Sequence, residues 1–132
     1  MSTARILVVD DNPTNKKLLA YLLSSFGYEV QTADSAQGAL ATLEDSLPDL
    51  ILLDVQMPGM DGLQLTRLLK ADPRTRNIVI IAVSAYAMRG DEEKAIDAGC
   101  DAYVTKPIDT RTLPTLVARH LGGRGSNSSS LT

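Results

Sequence analysis

Short runs of apolar and β-branched residues alternate along the chain with longer segments whose apolar residues recur at helical spacing. Three of the short runs contain almost no polar residue, a pattern typical of strands that are buried on both faces of a parallel sheet. The predicted strands cover residues 5–9, 28–33, 49–53, 78–83 and 102–105.

The segments between the strands have the apolar period of amphipathic helices. The first predicted helix begins near Pro13 and ends before Gly27, and the others cover residues 35–46, 62–71, 88–98 and 111–121. Pro114 fits only in the first turn of the fifth helix, because proline has no backbone N–H group. The fourth helix is mostly polar, so we expect it to be weakly held. The large apolar residues predicted to face the core from the first and third helices are Leu18, Leu19, Leu22, Leu23, Phe26, Leu63, Leu65, Leu68 and Leu69.

This alternation predicts an α/β fold in which right-handed helical crossovers join five parallel strands and cover both faces of the sheet. We expect the flavodoxin-like, doubly wound strand order 2-1-3-4-5, in which the first strand lies between the second and the third. The predicted domain spans residues 4–121. Residues 122–132 are rich in glycine and serine, which is the composition of a flexible tail.

Composition narrows the classes of protein that fit this chain. Its 132 residues predict one domain, and its formal net charge of −3 argues against nucleic acid or a membrane as a partner. Aromatic residues make up only 4% of the chain, so surfaces for stacking bases are not expected. A single cysteine, Cys100, excludes an intrachain disulfide, and no signal-peptide pattern is visible, so we expect a cytoplasmic protein.

Chemically reactive side chains follow four of the five predicted strands. They are Asp10 and Asp11 after the first strand, Asp54 after the third, Ser84 after the fourth and Lys106 after the fifth. Sites in parallel sheets form at the carboxyl ends of the strands, so we expect these side chains to share one edge. Each residue alone is more often a turn or capping residue, but the coincidence at four strand ends favours a functional site.

Three carboxylates at close range repel one another, by about 4 kcal/mol for two charges roughly 4 Å apart at an effective dielectric constant near 20. One lysine does not neutralise them, whereas a divalent cation does, and oxygen ligands without nearby histidine or cysteine favour Mg²⁺ or Mn²⁺. Ser84 and Lys106 are residue types that hold phosphoryl oxygens. A carboxylate in such a site can itself take up a phosphoryl group as the nucleophile.

With these residues, the chain resembles the receiver domain of two-component response regulators over residues 4–121. The segments that carry the resemblance are ILVVDDNPTNKKLL, LILLDVQMPGMDGLQL and IIAVSAYAMRGDEEKAIDAGCDAYVTKPID. They are most similar to the receivers of hybrid histidine kinases, diguanylate-cyclase regulators and single-domain cell-cycle regulators.

The resemblance implies a role for each site residue. Asp54 would accept a phosphoryl group from a phosphohistidine on a histidine kinase or a histidine phosphotransfer protein. Asp11 and Asp54 would bind Mg²⁺ directly, together with the backbone carbonyl of Gln56, and Asp10 would act through a metal-bound water. Lys106 would contact the phosphoryl group.

The resemblance also implies how the site would switch. Ser84 would move toward the phosphoryl oxygens and Tyr103 would follow it inward, and Lys106–Pro107 would be a cis peptide bond. Gln56 and Tyr86 would flank the site and set the lifetime of the aspartyl phosphate. The surface that reports the change would consist of the fourth helix, the fifth strand and the fifth helix.

The chain would then be a phosphorylation-dependent signalling switch in a phosphorelay. It would catalyse its own phosphoryl transfer and autodephosphorylation, but it would turn over no metabolite. Its partners would be the phosphohistidine donor and a downstream protein, and we expect a monomer or a weak homodimer. It is either a single-domain regulator or a receiver within a longer protein.

Two other classes of protein use the same architecture. One is a pure interaction module with a vestigial site, which the presence of all five expected side chains disfavours. The other is an enzyme. A haloacid-dehalogenase-like phosphatase would need a second aspartate two residues after its nucleophile, where this chain has Gln56. A flavin or dinucleotide domain would need a first loop rich in glycine, serine or threonine, where this chain has the acidic DDNPTN.

Overall fold

The computed structural model describes residues 4–56, 61–85 and 89–122, and these residues form five parallel strands and five helices. The strands are β1 (Arg5–Val9), β2 (Glu29–Ala33), β3 (Leu50–Asp54), β4 (Val79–Ser84) and β5 (Ala102–Thr105). The helices are α1 (Pro13–Ser25), α2 (Ala36–Asp45), α3 (Gly62–Ala71), α4 (Arg89–Ala98) and α5 (Leu113–Gly122). Tyr86, the predicted helix start at Met88 and tail residues 123–132 lie outside the described residues.

The sheet has the order β2-β1-β3-β4-β5, with every neighbouring pair parallel. The predicted fold class and strand order are confirmed. The register pairs Val9 of β1 with Leu53 of β3, so the next residues, Asp10 and Asp54, leave neighbouring strands at the same level. The topology therefore brings together two aspartates that are far apart in the sequence.

Two apolar layers cover the two faces of the sheet. Because successive residues of a strand point to opposite faces, β1, β3 and β4 contribute to both layers. One layer packs against α2, α3 and α4, and the other packs against α1 and α5. This burial on both sides is the reason that these strands are almost uninterrupted apolar runs.

The buried rows of α1 and α3 are narrower than the apolar stripes in their sequences. Leu19 and Leu23 of α1 are buried, but Leu18 is 49% exposed and Phe26, just after the helix, is 60% exposed. Leu68 of α3 is also 49% exposed. The prediction that Leu18, Phe26 and Leu68 face the core is wrong, because a helix lying on a sheet buries only the part of its apolar face that points at the strands.

Local chemistry sets the starts of α3 and α5, and Pro114 lies in the first turn of α5 as predicted. Asp61 caps α3: its carboxylate accepts the backbone N–H of Gln64 at 2.9 Å, and the Gln64 side-chain oxygen accepts the N–H of Asp61 at 3.1 Å. Pro114 is the second residue of α5, where its missing N–H group leaves no helical hydrogen bond unmade. Within the described part of the chain, no helix has the length and apolar character needed to cross a membrane.

Candidate functional site

An acidic group lies at the carboxyl ends of β1 and β3. One carboxylate oxygen from each of Asp10, Asp11 and Asp54 lies within 4.8 Å of the others. Asp10 and Asp54 are buried, each with 3% of its surface exposed, whereas Asp11 is exposed. Solvent therefore reaches the group on the side of Asp11.

Backbone N–H groups hold the two buried carboxylates. The N–H of Asn12 donates to Oδ1 of Asp10 at 2.8 Å, and the N–H of Gln56 donates to Oδ1 of Asp54 at 3.0 Å. Each donor lies two residues after its aspartate, so each loop turns back over the carboxylate that precedes it. These bonds fix the orientation of both side chains.

The start of α3 closes tightly against the end of β3. The N–H of Gly62 donates to the carbonyl oxygen of Val55 at 3.1 Å. A Cβ atom on Gly62 would lie 2.6 Å from the backbone oxygen of Asp54, so the approach requires a residue without a side chain. This contact sets the path of the chain that leaves the acidic group.

Lys106 brings a positive charge to the group from the end of β5. Its Nζ lies 3.3 Å from Oδ2 of Asp54, and its backbone N–H donates to the carbonyl oxygen of Ser84 at 2.8 Å. The Lys106–Pro107 peptide bond is cis. The backbone bond continues the pairing of β4 with β5 and so places the lysine beside the acidic group.

Ser84, the last residue of β4, is 1% exposed, and its hydroxyl contacts the side chain of Gln56. Nε2 of Gln56 donates to Oγ of Ser84 at 2.6 Å, and Oε1 of Gln56 accepts the N–H of Ala85 at 3.0 Å. The family resemblance gives Gln56 a role through its backbone carbonyl and in phosphate lifetime, but it does not predict this bridge. No sequence pattern predicts a side-chain contact between two loops, because the contact depends on how the two loops fold.

Tyr103 lies on β5 opposite Ala82, two residues before Ser84 on β4. It is half-buried and packs against the apolar layer on the side of α2, α3 and α4. The tyrosine and the serine therefore lie on the same face of neighbouring strands. Tyr86, the other aromatic residue that the sequence associates with the site, lies outside the described residues.

The surroundings of Asp54 make its ionisation costly. Burial raises the pKa of this carboxyl from 3.8 to about 6, and the negative charge of Asp10 adds to the rise. The positive charge of Lys106 and the N–H of Gln56 lower the pKa but do not cancel the other two effects. A single lysine therefore leaves the buried carboxylate undercompensated.

The acidic group has the donor set of a site for a hard divalent cation. All three members are aspartates, and oxygen ligands of this kind favour Mg²⁺ or Mn²⁺ over zinc. A cation bound there would also offset the burial and repulsion that raise the pKa of Asp54. The residues therefore fit the metal that the sequence predicts.

Comparison with known proteins agrees with this geometry. The model of the response regulator receiver domain family matches residues 6–118. The polar-differentiation response regulator DivK of Brucella ovis is 41% identical over 120 residues, which cover 91% of this chain and 98% of DivK. Both matches indicate that the present chain has a receiver fold and belongs to the class of proteins that act in phosphorylation-dependent signalling.

Solved structures lead to the same family. The signal receiver domain of a signal transduction histidine kinase from Syntrophus aciditrophicus has a TM-score of 0.87 at 33% identity, with 98% of each chain covered. The receiver domain of a sensor histidine kinase from Pseudomonas aeruginosa PAO1, which has a magnesium ion coordinated in its active site cleft, has a TM-score of 0.82 at 33% identity and covers 91% of this chain and 98% of its own. The resemblance found in the sequence is confirmed, and the chain belongs to the family of response regulator receiver domains.

Proposed function

We propose that this receiver domain accepts a phosphoryl group on Asp54 from a phosphohistidine donor and that the modification changes the surface formed by α4, β5 and α5. The observation that carries the proposal is the position of Asp54. Its carboxylate is buried within the acidic group and lies 3.3 Å from the ammonium of Lys106. Aspartate carboxylates are known to act as nucleophiles that form aspartyl phosphates, and a neighbouring positive charge can stabilise the product.

Asp10, Asp11 and Asp54 are the candidate ligands for Mg²⁺, together with the backbone carbonyl of Gln56. The acidic donor set of this chain and the magnesium in the similar Pseudomonas receiver support this assignment. When bound, Mg²⁺ supplies positive charge that neutralises the carboxylates and orients phosphoryl oxygens. Asp10 is buried and would contribute its negative charge to the metal site through a water rather than by direct contact.

The transfer to Asp54 is a substitution at phosphorus. A carboxylate oxygen of Asp54 forms a bond to phosphorus while the bond from phosphorus to the donor imidazole nitrogen breaks, and its electron pair leaves with the histidine. With a pKa of about 6, most Asp54 is ionised near neutral pH and can act as the nucleophile. The Lys106 ammonium lies beside the same carboxylate and stabilises the added negative charge.

In autodephosphorylation, a water oxygen forms a bond to phosphorus while the bond from phosphorus to the Asp54 oxygen breaks. The electron pair stays with Asp54, which restores its carboxylate, and inorganic phosphate leaves with the protons of the water. Gln56 lies next to this reaction and is positioned to influence its rate. The site thus forms and loses its own phosphoryl group without turning over a metabolite.

The added group carries about −1.5 to −2 charges, which attract the hydroxyl of Ser84. Ser84 leads directly into the segment before α4. The buried side chains of α4 are small, since they include Ala95 and Ala98, whereas Ile96 is 46% exposed. A helix held by such small contacts moves at low cost. A downstream protein then binds one of the two arrangements of α4, β5 and α5 in preference to the other. We propose that the domain itself acts as a monomer or a weak homodimer.

The test is phosphorylation of the purified domain by acetyl phosphate in the presence of MgCl₂, followed by mass spectrometry of the intact protein and its peptides. We expect one phosphoryl group on the peptide that contains Asp54, none in Asp54→Asn, and strongly reduced labelling in Asp11→Asn or after chelation. Asp45→Asn is the matched control, because Asp45 is exposed at the end of α2 and should be labelled like the wild type. A folded wild-type protein without an adduct would favour the interaction module instead.

A further inference from the structure

We infer that the side chain of Gln56 is a latch that holds Ser84, and with it the start of the segment before α4, in the unphosphorylated arrangement. The inference rests on the proposed function, because it assigns a position to Ser84 before that residue moves toward the phosphoryl group. Gln56 is a positioning residue in this account, since it acts through Ser84.

The hydrogen bonds fix the orientation of the Gln56 amide. The backbone N–H of Ala85 can only donate, so the atom that faces it at 3.0 Å must be Oε1. The amide nitrogen therefore faces Ser84 and donates to its Oγ at 2.6 Å. One planar group thus binds both the hydroxyl of Ser84 and the backbone that follows it.

The bond to Ser84 opposes a movement that takes the hydroxyl away from Gln56. Hydrogen bonds between nitrogen and oxygen extend to about 3.2 Å, so the 2.6 Å bond breaks once the Ser84 oxygen moves beyond that distance from Nε2. Breaking the contact loses one hydrogen bond of the unphosphorylated arrangement, and the phosphoryl group has to supply that free energy.

Gln56 also contacts the group that is modified. Its backbone N–H donates to Oδ1 of Asp54 at 3.0 Å, while its side chain binds Ser84 and Ala85. The same residue therefore joins the phospho-acceptor to the residue that responds. A change at the Asp54 carboxylate therefore acts directly on Gln56, whose side chain is the latch.

The variant Gln56→Met tests the latch, because methionine has a similar length but neither donates nor accepts the two side-chain hydrogen bonds. The N–H of Ala85 is left to water, since Ala85 is exposed. We expect the beryllofluoride concentration at the midpoint of a titration in excess MgCl₂ to fall about three- to tenfold. This change corresponds to the net free energy of one or two modest hydrogen bonds. The titration is followed by the amide resonances of α4 and β5. Gln37→Met, at an exposed position of α2, is the matched control and should leave the midpoint unchanged.

A double-mutant cycle with Ser84→Ala separates the latch from a general effect of the substitution. We expect Gln56→Met to lose most of its effect in the Ser84→Ala background. An unchanged or raised midpoint in Gln56→Met, or the same shift in both backgrounds, overturns the inference. If Gln56→Met does not fold, Gln56→Asn decides the question, because its shorter amide does not reach both partners and should also lower the midpoint.

Acetyl phosphate labelling distinguishes failure of the latch from failure of the proposed function. Wild-type protein that carries no adduct on Asp54 refutes the proposed function. Wild-type protein that is labelled normally, combined with a beryllofluoride midpoint that is insensitive to Gln56→Met, refutes only the latch.

Discussion

The raised pKa of Asp54 makes the stability of the metal-free protein depend on pH. The pKa of this carboxyl is about 6 in the folded protein against an ordinary value of 3.8, because the side chain is buried and lies beside Asp10. The folded state therefore binds the proton more tightly than the unfolded chain does. Asp54 lowers stability progressively as the pH rises from about 4 to about 6, and the full loss persists at higher pH.

The magnitude follows from the difference between the two pKa values. A rise of about two units corresponds to about 3 kcal/mol of lost stability above the folded pKa. Asp54 is only 3% exposed, but solvent reaches the acidic group beside the exposed Asp11, so about 3 kcal/mol is the upper limit of this cost. The variant Asp54→Asn keeps the shape and the acceptor for the Gln56 N–H but carries no charge. We therefore expect its advantage over the wild type to grow by up to about 2.5 kcal/mol between about pH 4 and about pH 8, because the unfolded carboxyl is already partly ionised at pH 4.

The assay is urea unfolding of the two proteins in a chelating buffer over this pH range. For a domain of this size, a gain of about 2.5 kcal/mol also raises the melting temperature by roughly 8 °C. Asp45→Asn serves as the control, because it removes a charge from an exposed site, and it should show little pH-dependent change. A stability difference between Asp54→Asn and the wild type that does not change with pH would refute the reasoning.

Three further predictions concern the metal, the packing beside the site and the contacts of Lys70 at the opposite end of the sheet. Excess MgCl₂ should raise the melting temperature of the wild type by several degrees, because a ligand of the folded state stabilises it, and Asp11→Asn should lose most of that rise; an equal rise in both would contradict the assigned ligands. In urea titrations, Gly62→Ala should cost about 2 kcal/mol or more, because its Cβ would lie 2.6 Å from a backbone oxygen at the end of β3. Gly90→Ala, with nothing within 4 Å of its Cβ, should change stability by less than about 1 kcal/mol, and equal losses would show that the close approach is unimportant. The Lys70 ammonium donates to the carbonyl oxygens of Arg76 and Ile78 at 3.1 and 2.8 Å and to Asp101 at 3.2 Å. Lys70→Met should therefore lower the free energy of unfolding by about 1–3 kcal/mol and speed amide hydrogen exchange at the start of β4. Unchanged exchange there would argue against this role.

The parts of the fold that depend on local pattern could be predicted from the sequence. The strand bounds differ from the predictions by one residue at most, because apolar runs between turn residues leave little choice of where a buried strand begins or ends. The place of Pro114 in the first turn of α5 shows the same, because the missing N–H group alone restricts proline to that turn.

The parts that depend on contacts between distant segments could not be predicted in full. The apolar stripe of α1 includes Leu18, but only the tertiary packing decides that Leu19 and Leu23 are buried and Leu18 is exposed. The bridge from Gln56 to Ser84 depends on the relative positions of two loops, and no local pattern specifies it. The acidic group was accessible to sequence reasoning because the strand order alone places Asp10 next to Asp54.

The central claim is that modification of Asp54 changes the surface of α4, β5 and α5. Amide correlation spectra of the protein, recorded in MgCl₂ before and after addition of beryllofluoride, test it most directly. We expect shifts at Ser84 and throughout α4 and β5, and no shifts in Asp54→Asn. Shifts confined to the residues next to Asp54, with α4, β5 and α5 unchanged, would contradict it.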